Sequence, residues 1–232
     1  MNLFYSSRLE GDVLILDEQE SKHAIRVLRL VRGDEVVLID GKGGWYEARI
    51  EEEHPKRCSL KIHSHTSNYR PLPYHLHLAI APTKHMDRFE WFLEKATEIG
   101  ISEITPLLCH RSERKQIKTE RLEKILISAM KQSLRAYKPV LNQLVSLQKF
   151  LELDLKGSKG IAHCMPSRRI GISGLKPADT YIMLVGPEGD FSSEEVQMAT
   201  KAGYMPFHLG ESRLRTETAG VYITAAFSLK HS

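Results

Sequence analysis

The chain has 232 residues, long for one domain and comfortable for two small ones. Its 33 Lys and Arg against 29 Asp and Glu leave a formal charge of +4, an excess that permits nucleic-acid binding without demanding it. With 41% apolar and 27% charged residues it has the composition of a globular protein and is too apolar for a disordered one.

No apolar run approaches the roughly 18 residues of a membrane helix; the longest are 181–185 and 221–227. Residues 1–16 carry no basic stretch followed by an apolar core, so no signal peptide, a cytoplasmic location and no membrane partner are expected. Cys58, Cys109 and Cys164 are odd in number and far apart, with no CxxC pair. That spacing excludes a zinc ribbon or dithiol redox motif and points to free thiols in a reducing compartment.

The first sixty-odd residues read as short strands. Segments 12–16 and 35–40 are rich in Val, Ile and Leu, and 45–50 alternates, with Trp45, Glu47 and Arg49 opposite Tyr46, Ala48 and Ile50. Segment 57–63 alternates again, and Gly33-Asp34 and Gly41-Lys42-Gly43-Gly44 supply turns. Closely spaced strands with Gly-rich turns predict a small β-barrel, with a short helix over 21–30. Segment 64–73 ends in Arg70-Pro71-Leu72-Pro73, whose prolines cannot join a central strand. It is expected to be a linker that divides a domain of 1–68 from one of 72–232.

Beyond the linker the rhythm changes. Leu76, Leu78 and Ile80 alternate with His75, His77 and Ala79, as in a strand. Phe89, Phe92, Leu93, Ala96 and Ile99 form one apolar helix face, which Gly100 closes. Segment 102–108 reads as a strand. A second helix is expected over 120–137, with Leu122, Ile125, Leu126, Ala129 and Leu134 inward, stopping before Pro139. The continuous apolar run 181–185 suits a strand buried on both faces of a parallel sheet. Ser192 and Glu195 have the spacing of a capping box, with Phe191 and Val196 as a hydrophobic staple, and that helix ends at Gly203. A short strand over 207–209 and an apolar helix over 216–229 complete an α/β layer fold with a largely parallel sheet.

The second helix carries a basic stripe of Arg121, Lys124, Lys131, Arg135 and Lys138, preceded by Lys84, Arg88, Arg111, Arg114, Lys115 and Lys118. It is either a solvated helix face or a ridge of cations for phosphates. Gly186-Pro187-Glu188-Gly189 stands between the apolar strand and the capped helix. It is either a plain strand-to-helix turn or a bare backbone approached closely by a ligand at the strand's carboxyl end. The run from Leu209-Gly210 to Leu214-Arg215-Thr216-Glu217-Thr218-Ala219 is a second such junction, with Thr216 suited to cap the helix and Glu217 to its dipole. The fingerprints GxGxxG, GxxxxGK[ST] and GxSxG are absent. The pairs His63/His65 and His75/His77 have no carboxylate or thiol nearby in sequence to complete a ligand set, so no metal is expected.

Taken together these segments resemble the RsmE family of SPOUT-superfamily methyltransferases. The likeness runs through His23, Arg26-Val27-Leu28-Arg29, Gly33-Asp34 and Asp40-Gly41. It continues through Lys95 to Gly100, Ile104 to Leu107, Arg111-Ser112 and Gln132 to Arg135. It ends in the two glycine junctions, which in this order and spacing are its most specific part. Asp190 stands where the family often has a second glycine, His110 where it commonly has Glu, and Arg213 where an Ile often precedes the Leu-Arg-Thr-Glu-Thr-Ala run.

The resemblance implies a PUA-like β-barrel followed by an α/β trefoil-knot domain, a homodimer, and S-adenosyl-L-methionine as cofactor. The implied reaction is methylation of uridine N3 in the 16S ribosomal RNA of the small subunit. The loop residues Leu184, Gly186, Pro187, Glu188, Gly189, Leu209, Gly210, Leu214 and Thr218 are then the expected cofactor contacts. Arg215 is the first candidate to stabilise charge on the uracil oxygens, and Glu217 a candidate beside it. Lys22, Arg26, Arg29, Arg111, Lys131 and Arg135 are expected on RNA. Two alternatives stand beside this reading: an RNA-binding ribosome assembly factor that keeps the fold without the chemistry, and a methyltransferase of the same fold acting on another RNA.

Overall fold

The computed structural model describes residues 2–231 apart from Arg8, Glu10 and Ser167. The chain divides into two compact units, Met1–Pro71 with Met130–Lys138, and Leu72–Ala129 with Pro139–Ser232.

In the first unit five strands form one sheet in the order β1-β3-β4-β5-β2, namely β1 (Leu3–Tyr5), β2 (Val13–Ile15), β3 (Glu35–Ile39), β4 (Trp45–Glu52) and β5 (Ser59–Thr66). Only β1 and β3 pair in parallel; the others are antiparallel. Phe4, Leu14, Val36, Leu38, Ala48, Ile50 and Leu60 meet in one core, and they come from all five strands, so the sheet curls round it. The opposite residues of β3 and β4, Val37, Ile39 and Trp45, are also buried, against Met130 and Ala136. Two covered faces explain why β3 reads as an unbroken apolar run. The helix expected over 21–30 is instead α1 (Glu18–Lys22), capped by Asp17, and a π-turn over His23–Val27. Ser21 fixes its position, donating to the Leu16 carbonyl at 3.0 Å and accepting from the Cys58 N–H at 2.9 Å.

In the second unit seven strands lie side by side in the order β11-β13-β10-β12-β6-β7-β8, every pair parallel. They are β6 (His75–Ile80), β7 (Glu103–Leu108), β8 (Val140–Leu141), β10 (Ser158–Ala162), β11 (Ile170–Gly171), β12 (Thr180–Val185) and β13 (Met205–His208), with β9 (Val145–Ser146) on β7. Tyr181, Met183 and Val185 of β12 point into a core shared with α2 (Met86–Ile99), α3 (Thr119–Gln132) and α6 (Thr216–Lys230). Ile182 and Leu184 point the other way, towards α4 (Leu147–Leu151) and α5 (Ser193–Lys201). Gly220 lets α6 lie against α2, for a Cβ there would stand 2.6 Å from the Phe92 ring. The late strand β13 sits between β10 and β11, which the chain joins directly through 163–169. A late strand inserted between two that the chain joins directly matches the order the resemblance to the knotted SPOUT fold implies, one that ordinary connection rules argue against.

Two further expectations change. The helix predicted over 120–137 ends at Gln132: Leu134 takes φ +55°, and the Arg135 N–H bonds the Met130 carbonyl. Arg135 and Lys138 therefore leave the basic stripe, and backbone bonds hold 136–138 to Gly41 and Gly43. Thr216 is not the cap of α6; Arg215 is, without a side-chain bond. His75 and His77 lie on one face of β6, both reaching Glu103, at 3.2 and 3.6 Å; His75 is exposed and His77 is buried at 3% exposure, edge-on to Phe150 and 2.7 Å from the Thr105 hydroxyl.

Burial lowers the His77 pKa to about 4, against the attraction of Glu103. The folded ring is therefore neutral, and protons bind the unfolded chain first. Stability should be flat above about pH 6.5 and fall between there and about 4, by on the order of 3 kcal/mol from this ring. Below about pH 4.5 a second loss begins, because the His75 hydrogen bond holds Glu103 down to about 2. Urea denaturation across this range checks both, and His77→Gln should remove the upper part of the slope.

Candidate functional site

A sheet whose strands all run one way places every strand's carboxyl end on the same edge, the usual site of ligands in α/β folds. Five connecting segments meet that description: 81–85 after β6, 109–118 after β7, 163–169 after β10, 186–192 after β12 and 209–215 after β13.

The first glycine junction is held by its neighbours through main-chain groups. Gly186 has no room for a side chain, since a Cβ would stand 3.0 Å from Phe191. Glu188 Oε1 accepts from the Lys84 N–H at 2.9 Å. Arg111 Nη1 donates to the Gly189 carbonyl at 2.7 Å and the Phe191 carbonyl at 3.4 Å. The capping box of α5 is present, and its buried Glu195 accepts from the N–H groups of both Ser192 and His110. His110, which stands where the family commonly has Glu, thus contributes its backbone to the loop's support.

Asp190 turns the loop with φ +64°, a conformation Asp tolerates better than most residues. Its carboxylate accepts from the Phe191 N–H at 2.8 Å and, through the other oxygen, from the Cys164 N–H at 2.8 Å. Where the family pattern has glycine for the turn, this chain has a side chain that also clasps the loop to the segment after β10.

The second junction is joined to the first by one buried bond: the Thr216 hydroxyl donates to the Gly186 carbonyl at 3.1 Å. Gly210 takes φ +112°, open to space, a backbone form that suits glycine. Leu209 and Leu214 are half-buried against the core, whereas Leu184 is wholly within it. Arg215, Thr218 and Arg213 are exposed, and the Arg215 guanidinium pairs with no described residue. Glu217 is buried, with Oε1 3.9 Å from Arg88 Nε and Oε2 without a partner among the described residues.

Around this edge, Lys84 pairs with Glu113 at 2.8 Å, which raises the pKa of its amine, and Arg114 donates to the Lys84 carbonyl. Burial pushes the Cys109 thiol up, so it is no nucleophile. Among the described residues no group of three His, Cys, Asp or Glu could hold a metal ion.

The other expected RNA contacts lie in the first unit. Lys22, Arg26 and Arg29 are exposed at four- and three-residue steps along α1 and the π-turn, and Arg29 takes φ +56°. Lys131 is engaged with Glu20 and lies over the Phe4 ring; Arg135 is half-buried. The Thr216 bond, the Asp190 clasp and the Arg88–Glu217 contact carry no short-range sequence signal, since each joins residues more than 25 positions apart or places a polar group by tertiary packing alone.

Family models for an RNA methyltransferase domain match residues 70–228, and for an RNA methyltransferase PUA domain residues 16–62. The ribosomal RNA small subunit methyltransferase E of Aquifex aeolicus is 30% identical over 97% of this chain and 98% of its own length. A crystal structure of a probable rRNA-methyltransferase from Porphyromonas gingivalis is 39% identical with a TM-score of 0.92, covering 100% of this chain and 98% of its own. The ribosomal RNA small subunit methyltransferase E of Neisseria gonorrhoeae, solved bound to S-adenosyl methionine, is 27% identical with a TM-score of 0.90, covering 99% and 98%. With two joined glycine junctions on a knotted parallel sheet and a full-length relative at this identity, the chain belongs to the ribosomal RNA small subunit methyltransferase E family.

Proposed function

We propose that this chain methylates N3 of a uridine in 16S ribosomal RNA of the small subunit, using S-adenosyl-L-methionine. The observation that carries the reading is the Thr216–Gly186 bond, which fixes the two bare-backbone junctions of the family motif against each other. The residues fit such a cofactor: exposed main chain at Gly189 and Gly210 for its polar groups, and half-buried Leu209 and Leu214 for its apolar surface. Pro187, Glu188 and Thr218 complete the contact set, with Glu188 acting through the loop it anchors. When bound, S-adenosyl-L-methionine would supply a methyl group on a sulfonium centre, open to in-line attack at the methyl carbon with the neutral thioether as leaving group.

The protein's task is to align the uracil and make its N3 a nucleophile. That nitrogen carries a proton, and once it leaves, negative charge spreads to O2 and O4. Arg215, exposed at the N-cap of α6 and without a partner among the described residues, is the cation we assign to that charge. Glu217 has one side-chain oxygen without a partner among the described residues and Arg88 beside the other, so we assign it as the acceptor for the proton. Lys22, Arg26 and Arg29 grip the RNA backbone from the first unit, while Arg111 divides its role between the loop carbonyls and RNA. Lys131 and Arg135 stand behind that grip. A cytoplasmic homodimer belongs to the same reading, and Tyr222 and Leu229 on α6, 46% and 78% exposed, are apolar surface for it.

Labelled S-adenosyl-L-methionine with small subunits lacking the modification should give N3-methyluridine at one site, identified by nucleoside mass. Another methylated nucleoside would move the target, and no transfer without cofactor binding would favour the assembly-factor role. Arg215→Ala should lower kcat by about a hundredfold with cofactor affinity unchanged. Thr216→Val keeps the shape but leaves the Gly186 carbonyl unpartnered, so it should cost about 1–2 kcal/mol of stability by denaturation and weaken cofactor binding by calorimetry. Replacing Arg26 and Arg29 with Ala should weaken RNA binding and flatten its log-log salt dependence by about one per cation, with cofactor binding intact.

A further inference from the structure

The segment after β10 contributes a residue that neither glycine motif contains. β10 lies between β12 and β13, with Ala162 level with Val185 on one side and Phe207 on the other. His163 comes next in the chain, at the carboxyl end of β10, just as Gly186 follows Val185 and His208 follows Phe207. It is buried, with 4% of its surface exposed. Neither Nδ1 nor Nε2 has a hydrogen-bond partner among the described residues.

That arrangement is costly. A neutral imidazole carries one N–H donor and one acceptor, and buried polar atoms are almost always satisfied. The charged groups nearby are otherwise engaged. Asp190 gives one carboxylate oxygen to the Phe191 N–H and the other to the Cys164 N–H, and Arg169 donates to His163's own carbonyl. The unmet pair of ring nitrogens sits on the edge of the sheet where the two junctions converge, while the groups around it are used to hold its backbone.

We propose that His163 is a ligand-binding residue of the cofactor site, and that its ring hydrogen-bonds the adenosine moiety of S-adenosyl-L-methionine. The inference rests on the cofactor reading above and deepens it. Burial lowers the ring's pKa despite Asp190, so the imidazole is uncharged. An uncharged donor and acceptor match an uncharged nucleoside, whose base and ribose offer both kinds of partner. The amino-acid end of the cofactor carries an ammonium and a carboxylate, and charged or main-chain partners suit it better. Asp190 and Arg169 then act as positioning residues for the segment that carries the ring.

Calorimetric titration of the full chain separates the possibilities, with two ligands: S-adenosyl-L-methionine and 5′-methylthioadenosine, which lacks the amino-acid end. His163→Ala and His163→Phe should each raise Kd by about tenfold or more, by the same factor for both ligands. His163→Gln, which retains a donor and an acceptor, should recover much of the affinity, and RNA binding should not change. The Phe variant fills the space and covers the case in which the Ala variant does not fold. Unchanged Kd values in the Ala and Phe variants overturn the proposal. A loss for S-adenosyl-L-methionine but not for 5′-methylthioadenosine overturns the assignment to adenosine. Wild-type protein that binds neither ligand overturns the cofactor reading itself.

Discussion

A buried carbonyl must find a donor, and the carbonyl of Gly186 finds one thirty residues away in the Thr216 hydroxyl. Much of the site's geometry hangs on that bond. Gly186 has no side chain because Phe191 fills the space where one would stand, so its backbone is bare and its carbonyl points to where the last helix begins. The last helix in turn begins at Thr216 with no side-chain cap, because the hydroxyl that would have served near that end is committed across the junction. Local helix stability yields there to a tertiary constraint, the kind of local departure expected at functional sites.

The same trade recurs in the threading of the sheet. β10 is Ser-Lys-Gly-Ile-Ala, a poor strand by composition. Its Gly160 is squeezed between Met183 of β12 and Phe207 of β13; a Cβ would lie 2.9 Å from each. Glycine here is the condition for three parallel strands to close up around the strand that arrives last. It is also why this strand escapes a reading based on β-branched runs. The strands legible in the sequence, over 181–185 and around 76–80, are those buried on both faces by apolar side chains. The short pieces between 140 and 175 are held by neighbours rather than by their own propensity.

The candidate site was legible to a similar depth and for similar reasons. Both glycine junctions and the capping box at Ser192 have local signatures, because turn and cap chemistry is written in adjacent residues. The partners that hold them are not local. Asp190 is visible in the sequence as a departure from a glycine, but its clasp on the Cys164 N–H exists only once β10 lies beside β12. Helix periodicity also ran past its physical limit at 133–138. The apolar spacing continues to Leu134, yet the backbone turns there because residues 136–138 find better partners at Gly41 and Gly43.

Charge shows the same division between pattern and engagement. A count of basic residues treats Lys84, Arg111, Arg114, Lys131 and Arg215 alike. In the structure Lys84 answers Glu113, Arg111 and Arg114 hold loop carbonyls, and Lys131 answers Glu20. Exposed ion pairs contribute little to stability, but each one removes most of a cation's field from its surroundings. Among the described residues the cations without such partners include Arg213 and Arg215 at the second junction, Lys118 and Lys124 around the start of α3, and Lys22, Arg26 and Arg29 in the first unit. The net charge of +4 therefore says little about where RNA would lie. The unpaired cations say more, and two of them, Arg213 and Arg215, stand at the second glycine junction, directly before α6.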